Sequence, residues 1–152
     1  MLKGRKEIDM AVAAESLSVL VVDEDPEILS FFARILDLNG MRALLARNHD
    51  EAISIAKRGY VPIDLVLTDV FLKPEDGSSD LSSGPALVER LRELRPDVRA
   101  LYMSAYLESE MVRIELMDKR GETASDEQGL LESIRSAAAA PLTRRVGGIR
   151  LQ

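Results

Sequence analysis

Acidic side chains close two apolar runs of this chain, and a hydroxyl closes a third. Asp23-Glu24-Asp25 follow Ser18-Val19-Leu20-Val21-Val22 directly, Asp69 follows Ile63-Asp64-Leu65-Val66-Leu67-Thr68, and Ser104 follows Leu101-Tyr102-Met103. Adjacent carboxylates repel one another unless a cation sits among them. Oxygen-only donors suit a hard cation, magnesium above all, and such an ion keeps positions open for water and phosphate. An aspartate beside it can attack a phosphoryl group and become an aspartyl phosphate. The metal offsets the developing charge, and a hydroxyl can hold a phosphoryl oxygen. The bland alternative is a solvated turn or a helix cap, because Asp and Glu favour the positive end of a helix. Asp25, followed by Pro26, fits a cap and is assigned that role.

These residues meet only if the elements around them bring strand ends together. Leu17 to Val22, Met41 to Ala46, Ile63 to Thr68 and Val98 to Met103 read as strands. Between them, apolar residues recur at helix spacing: Ile28, Leu29, Phe32, Ile35 and Leu36, stopped by Asn39-Gly40; then Ala52, Ile53 and Ala56, capped by Asn48 or Asp50; then Leu87, Val88, Leu91 and Leu94 behind Pro85. Asp126 to Ala140 is a last helix. Alternating strands and helices imply a parallel sheet covered on both faces. In such open sheets ligands bind at the carboxyl ends of the strands. The acidic and hydroxyl residues stand at those ends.

The bulk composition narrows the partners. The chain has 152 residues, 46% of them hydrophobic, enough for one domain with a proper core. A net charge of -6 disfavours DNA or an anionic membrane as partner. With no cysteine and a single histidine, His49, there is no thiol chemistry and little histidine chemistry. No run reaches transmembrane length and the start lacks a signal-peptide pattern, so a cytoplasmic location is expected. His49 reads as a polar, exposed residue at a helix start, and Arg144, Arg145 and Arg150 as a solvated or disordered basic tail.

The segments VLVVDEDPEIL, DLVLTDVFL, GPALVERLREL and ALYMSAY, in that order, resemble the receiver domain of two-component response regulators. The resemblance implies an α/β, flavodoxin-like, doubly wound parallel sheet of (βα)5 type over residues 17–140, with an extension at 1–16 and a tail at 141–152. It implies Asp69 as phosphoacceptor, a magnesium ion held by Asp23, Glu24, Asp69 and the Phe71 backbone carbonyl, and Ser104 as the hydroxyl switch residue. Glu24 stands where an aspartate is more usual. Small Ala105 would leave the phosphosite accessible. The implied donor is a histidine kinase or histidine phosphotransfer protein. The implied product is a non-enzymatic phosphorelay component whose output is protein-protein contact, with neither nucleic acid nor membrane as partner and a homodimer allowed.

Two departures from that family pattern stand out. The stretch Lys73 to Ser83 is longer than the usual connection, and Gly84 rather than Gly77 is expected to match the loop glycine. The lysine that precedes proline at the end of the family's fifth strand is missing; Thr123 falls in its place, with Lys119 a candidate substitute. A parallel crossover needs about a dozen residues, too many for the gap between Met103 and Met111. A helix is therefore expected from about Leu107 to Arg120, supported by the Glu115/Lys119 spacing, which leaves Glu122 to Ser125 as a shortened or missing fifth strand. The competing reading is a degenerate pseudo-receiver that binds partners without phosphorylation. A magnesium phosphohydrolase is disfavoured, because Phe71 stands where such enzymes often carry a second aspartate. A dinucleotide-binding fold is disfavoured because DEDPE, not a glycine-rich loop, follows the first strand.

Overall fold

The computed structural model describes residues 16–70, 83–108, 111–117, 123–124, 127–140, 144–146 and 149–151. Strand β1 (Ser18–Val22) is buried along its whole length, as expected of a continuous β-branched run covered on both faces. Helix α1 (Pro26–Leu38) follows. Asp25 caps it by accepting the Glu27 N–H at 2.9 Å, and Pro26 occupies the first turn. Then come β2 (Arg42–Ala46), α2 (His49–Ala56) capped by Asn48, β3 (Leu65–Asp69), α3 (Gly84–Leu94) capped by Ser83, and β4 (Arg99–Glu108). Strand β5 (Met111–Met117), the two-residue β6 (Thr123–Ala124) and helix α4 (Glu127–Ala139) complete the domain.

One six-stranded sheet has the order β2-β1-β3-β4-β5-β6. The first four strands in that order are parallel, the doubly wound arrangement expected from the alternating pattern. Odd-numbered residues of β1, β3 and β4 (Val19, Val21, Leu65, Leu67, Leu101, Met103) pack under α1 and α4. The alternate residues Leu20, Val22 and Val66 pack under α2 and α3. The two clusters lie on opposite faces, which is what a period of two requires.

The region after Met103 differs from expectation. No helix spans Leu107–Arg120: β4 continues to Glu108, and β5 runs back antiparallel to it, pairing Tyr102 with Met117 through Glu108 with Met111. The crossover constraint applies to parallel strands alone; antiparallel strands can be joined by two residues, and Ser109-Glu110 are the two available. The alternation of Val112, Ile114 and Leu116 outweighs the single Glu115/Lys119 helical pair. The shortened fifth strand is β6, which pairs with β5 instead of lying against β4.

Two smaller expectations are also corrected. His49 is half-buried, with its Nε2 out of solvent. The basic tail contains an antiparallel pair, β7 (Arg144–Val146) and β8 (Ile149–Leu151). Gly147-Gly148 between them is a hairpin signal.

Candidate functional site

Strands β1 and β3 are parallel neighbours in register, Val22 opposite Thr68, so Asp23 and Asp69 both continue from the same row. Asp69 pairs with Met103 of β4, which puts Ser104 one residue beyond that row. The carboxyl edge of the sheet thus carries Asp23, Asp69 and Ser104 on three adjacent strands. Asp23 is 2% exposed, Asp69 half-buried, and Glu24 and Ser104 exposed.

Backbone bonds fix this edge. The Asp23 N–H donates to the Ala46 carbonyl at 3.1 Å, and the Val70 N–H to the Met103 carbonyl at 3.2 Å. The Asp23 carboxylate accepts the Asp25 N–H at 2.8 Å through Oδ1. Its Oδ2 is buried with no hydrogen-bond partner among the described residues. A buried carboxylate oxygen left unpaired is costly, and Asp23 answers by holding its proton. Burial pushes its pKa up from 3.8 to about 7; the Asp25 N–H works against this, while the charges of Asp69, Asp25 and Glu24 add to it.

Gly84 bears directly on Asp69. Its N–H donates to the Val70 carbonyl at 2.9 Å, and a methyl group added to it would overlap the Asp69 carbonyl oxygen. The glycine after the long connection is therefore required by close approach of α3 to the end of β3, in keeping with its choice over Gly77.

The chemistry of the donor set fits a hard cation at Asp23, whose orphan oxygen is the observation in favour. Among the described residues, no three His, Cys, Asp or Glu side chains converge tightly enough to hold a metal ion by themselves. Phe71 and Lys119 lie outside the described residues. Thr123 pairs with Met117, so β5 separates it from β4 and Ser104. At about 4.8 Å per strand, β6 lies roughly 14 Å from β3, too far for a residue there to replace the lysine readily. In register, β5 sets Glu115 opposite Ser104, a pairing that follows once the Val112/Ile114/Leu116 alternation is read as a strand.

Among the described residues, no helix is long and apolar enough to cross a membrane. The chain is 28% identical over 98 residues to "Sensor kinase CckA" of Brucella abortus (strain 2308), a match covering 64% of this chain and a tenth of that kinase. The fold is similar to the signal receiver domain of an HD domain-containing protein from Pseudomonas fluorescens Pf-5, with TM-score 0.58 and 20% identity over 81% of this chain and 94% of that one. It is also similar to a CheY-like receiver domain protein from Methanospirillum hungatei JF-1, with TM-score 0.51 and 20% identity over 82% and 78% of the two chains. Residues 19–120 match the model of the response regulator receiver domain. With that match across most of the chain and the parallel sheet that carries Asp23, Asp69 and Ser104 on one edge, the protein belongs to the response regulator receiver domain family of two-component systems.

Proposed function

We propose that this receiver accepts a phosphoryl group on Asp69 from a histidine kinase or histidine phosphotransfer protein and signals through protein-protein contact. The observation that carries the reading is the buried, partly unsatisfied Asp23 carboxylate on the strand beside Asp69. A carboxylate in that condition is a poor structural element and a good cation ligand. Asp23 is the principal donor to magnesium, with Glu24, Asp69 and the Phe71 carbonyl as the further donors. When bound, the ion supplies positive charge against the phosphoryl oxygens.

In the reaction an Asp69 carboxylate oxygen forms the new bond to phosphorus. The bond from phosphorus to the donor's nitrogen breaks, and its electron pair leaves with the donor. The Ser104 hydroxyl, one residue beyond Asp69's register partner, donates to a phosphoryl oxygen. Incubation with acetyl phosphate and magnesium, followed by intact mass measurement, tests this. One phosphoryl adduct is expected on the wild-type chain and none on Asp69→Asn; an adduct that survives Asp69→Asn would overturn the assignment.

A pseudo-receiver, binding partners without phosphorylation, is the second reading. It is favoured by the position of β6, which carries Thr123 in place of a lysine and is separated from β4 by a whole strand. Absence of any adduct on the wild-type chain would decide for it.

A further inference from the structure

Strand β2 is the outermost strand of the sheet, with β1 on one side and no strand on the other among the described residues. Its even-numbered residues bond to β1. The Arg42 N–H donates to the Leu17 carbonyl at 2.7 Å, and the Ala46 carbonyl accepts the Asp23 N–H at 3.1 Å. Backbone groups alternate in direction along a strand, so Ala43 and Leu45 turn their N–H and C=O groups to the outer edge. Edges of this kind are commonly guarded by proline, a bulge or charged side chains. The run Arg42-Ala43-Leu44-Leu45-Ala46 carries charge only at its start.

The side chains of the same two residues share one face. Ala43 packs against the cluster under α1, and Leu44 against the cluster on the opposite face. Leu45 follows Ala43 by two residues and is 40% exposed. Beside Ala43 a groove opens between α1 and the start of β2, lined by Ala33, Asp37, Met41, Arg42 and Ala43. An exposed leucine and a partly apolar groove thus lie on the same face of one strand, offset along it.

A two-fold axis through Leu44 brings leucine and groove together. When β2 pairs antiparallel with β2 of a second copy, Ala43 meets the partner's Leu45, and Leu45 meets the partner's Ala43. These are the outward-facing residues, so each pair exchanges both of its N–H···O bonds. A shift of one residue would set outward groups against inward ones. The axis is perpendicular to the sheet, so each Leu45 enters the other copy's groove on the α1 face. On the opposite face, Arg42 comes opposite the partner's Ala46. Glu51, whose carboxylate accepts the N–H of Arg47 at 2.7 Å, stands just beyond Ala46. Arg42 of each copy therefore meets the partner's Glu51, and the charges are complementary.

We propose that the outer edge of β2 joins two copies of this chain into a symmetric dimer with a continuous sheet, Leu45 and Arg42 being its anchors. The two carboxyl edges point in opposite directions, so Asp23 and Asp69 of each copy stay uncovered. The strand has five residues, so the interface is small and the dimer depends on concentration.

The test is sedimentation of the full chain over a concentration series, with amide hydrogen exchange measured on the same samples. Melting curves verify that each variant is folded. The dimer fraction of wild type is expected to rise with concentration. The Ala43 and Leu45 amides should become protected in step with it, while the Leu44 amide, bonded within the monomer, is protected throughout. Leu45→Lys should raise the dissociation constant at least about tenfold, since two buried leucines are lost per dimer. Arg42→Glu should also weaken the dimer, and adding Glu51→Lys to it should restore part of the affinity. A wild-type monomer at every concentration would overturn the proposal, as would a dimer indifferent to both Leu45→Lys and Arg42→Glu. Protection of Ala43 and Leu45 in a monomer would show another segment of the same chain on this edge, and would overturn it equally.

Discussion

Asp23 concentrates the electrostatics of this protein in one side chain. Its folded-state pKa, about 7, lies above the ordinary 3.8. Between those values the folded chain holds a proton that the unfolded chain has released. Stability from this group is thus fully present below about pH 4 and is lost as pH rises to about 7. Asp23→Asn keeps the shape and removes the ionisation. At about pH 8 the variant should be more stable than wild type by about 2 kcal/mol, while near pH 4 the two should be similar. Urea denaturation at both pH values checks this; a wild type as stable as the variant at the higher pH would contradict it. The loss of activity expected from the same substitution would mark a residue kept for function at a cost in stability.

Elements meet at Gly84 and Asp25. Helix α3 reaches the end of β3 through a glycine whose added methyl would strike the Asp69 carbonyl oxygen. Backbone is the obstacle, so one of the two elements must shift. Gly84→Ala should cost about 1–3 kcal/mol, and should also slow adduct formation on Asp69, since the displaced backbone carries that residue. Asp25→Ala removes the cap of α1 and should cost about 1 kcal/mol, read as a lower urea midpoint with unchanged slope. The elements up to Met103 were legible from sequence because each has one dominant period. Val19, Val21, Leu65 and Leu67 sit in unbroken apolar runs, and Ile28, Phe32 and Ile35 keep helix spacing. Residues 107–120 carry both periods, and local pattern could not choose between them. Pairing with β4, a non-local interaction, decided for the strand.

The whole molecule is a sheet whose two faces are both covered, so stability is concentrated in its central strands. Leu67, fully buried on β3, should lose about 2–5 kcal/mol on truncation to Ala. Leu45, 40% exposed on the edge strand β2, should lose much less. Binding of magnesium to the folded state alone should raise the melting temperature by mass action, worth about 2.7 kcal/mol at 100 times the dissociation constant. The rise should be larger at about pH 8 than near pH 5, because the ion competes with the proton that Asp23 holds. It should be lost in Asp23→Asn. An equal response from both proteins would show that the ion binds elsewhere.

The sequence by itself determined the parallel core and the candidate site. Buried parallel strands must be apolar throughout, helices must show an apolar stripe, and charged groups that end such strands are forced to one edge of the sheet. Asp23, Asp69 and Ser104 could be named on those grounds, and Gly84 through the resemblance to the receiver family. Only the tertiary structure decided what lies beyond β4. Strand direction and partner there depend on which backbone edge is free to pair, and the edge of β4 is assembled from residues distant in sequence. That edge took up an antiparallel neighbour, moved Thr123 a full strand away, and set Glu115 in backbone register with Ser104. Charge at a single residue is written in the sequence; the group it faces is set by register, and register exists only in the folded sheet.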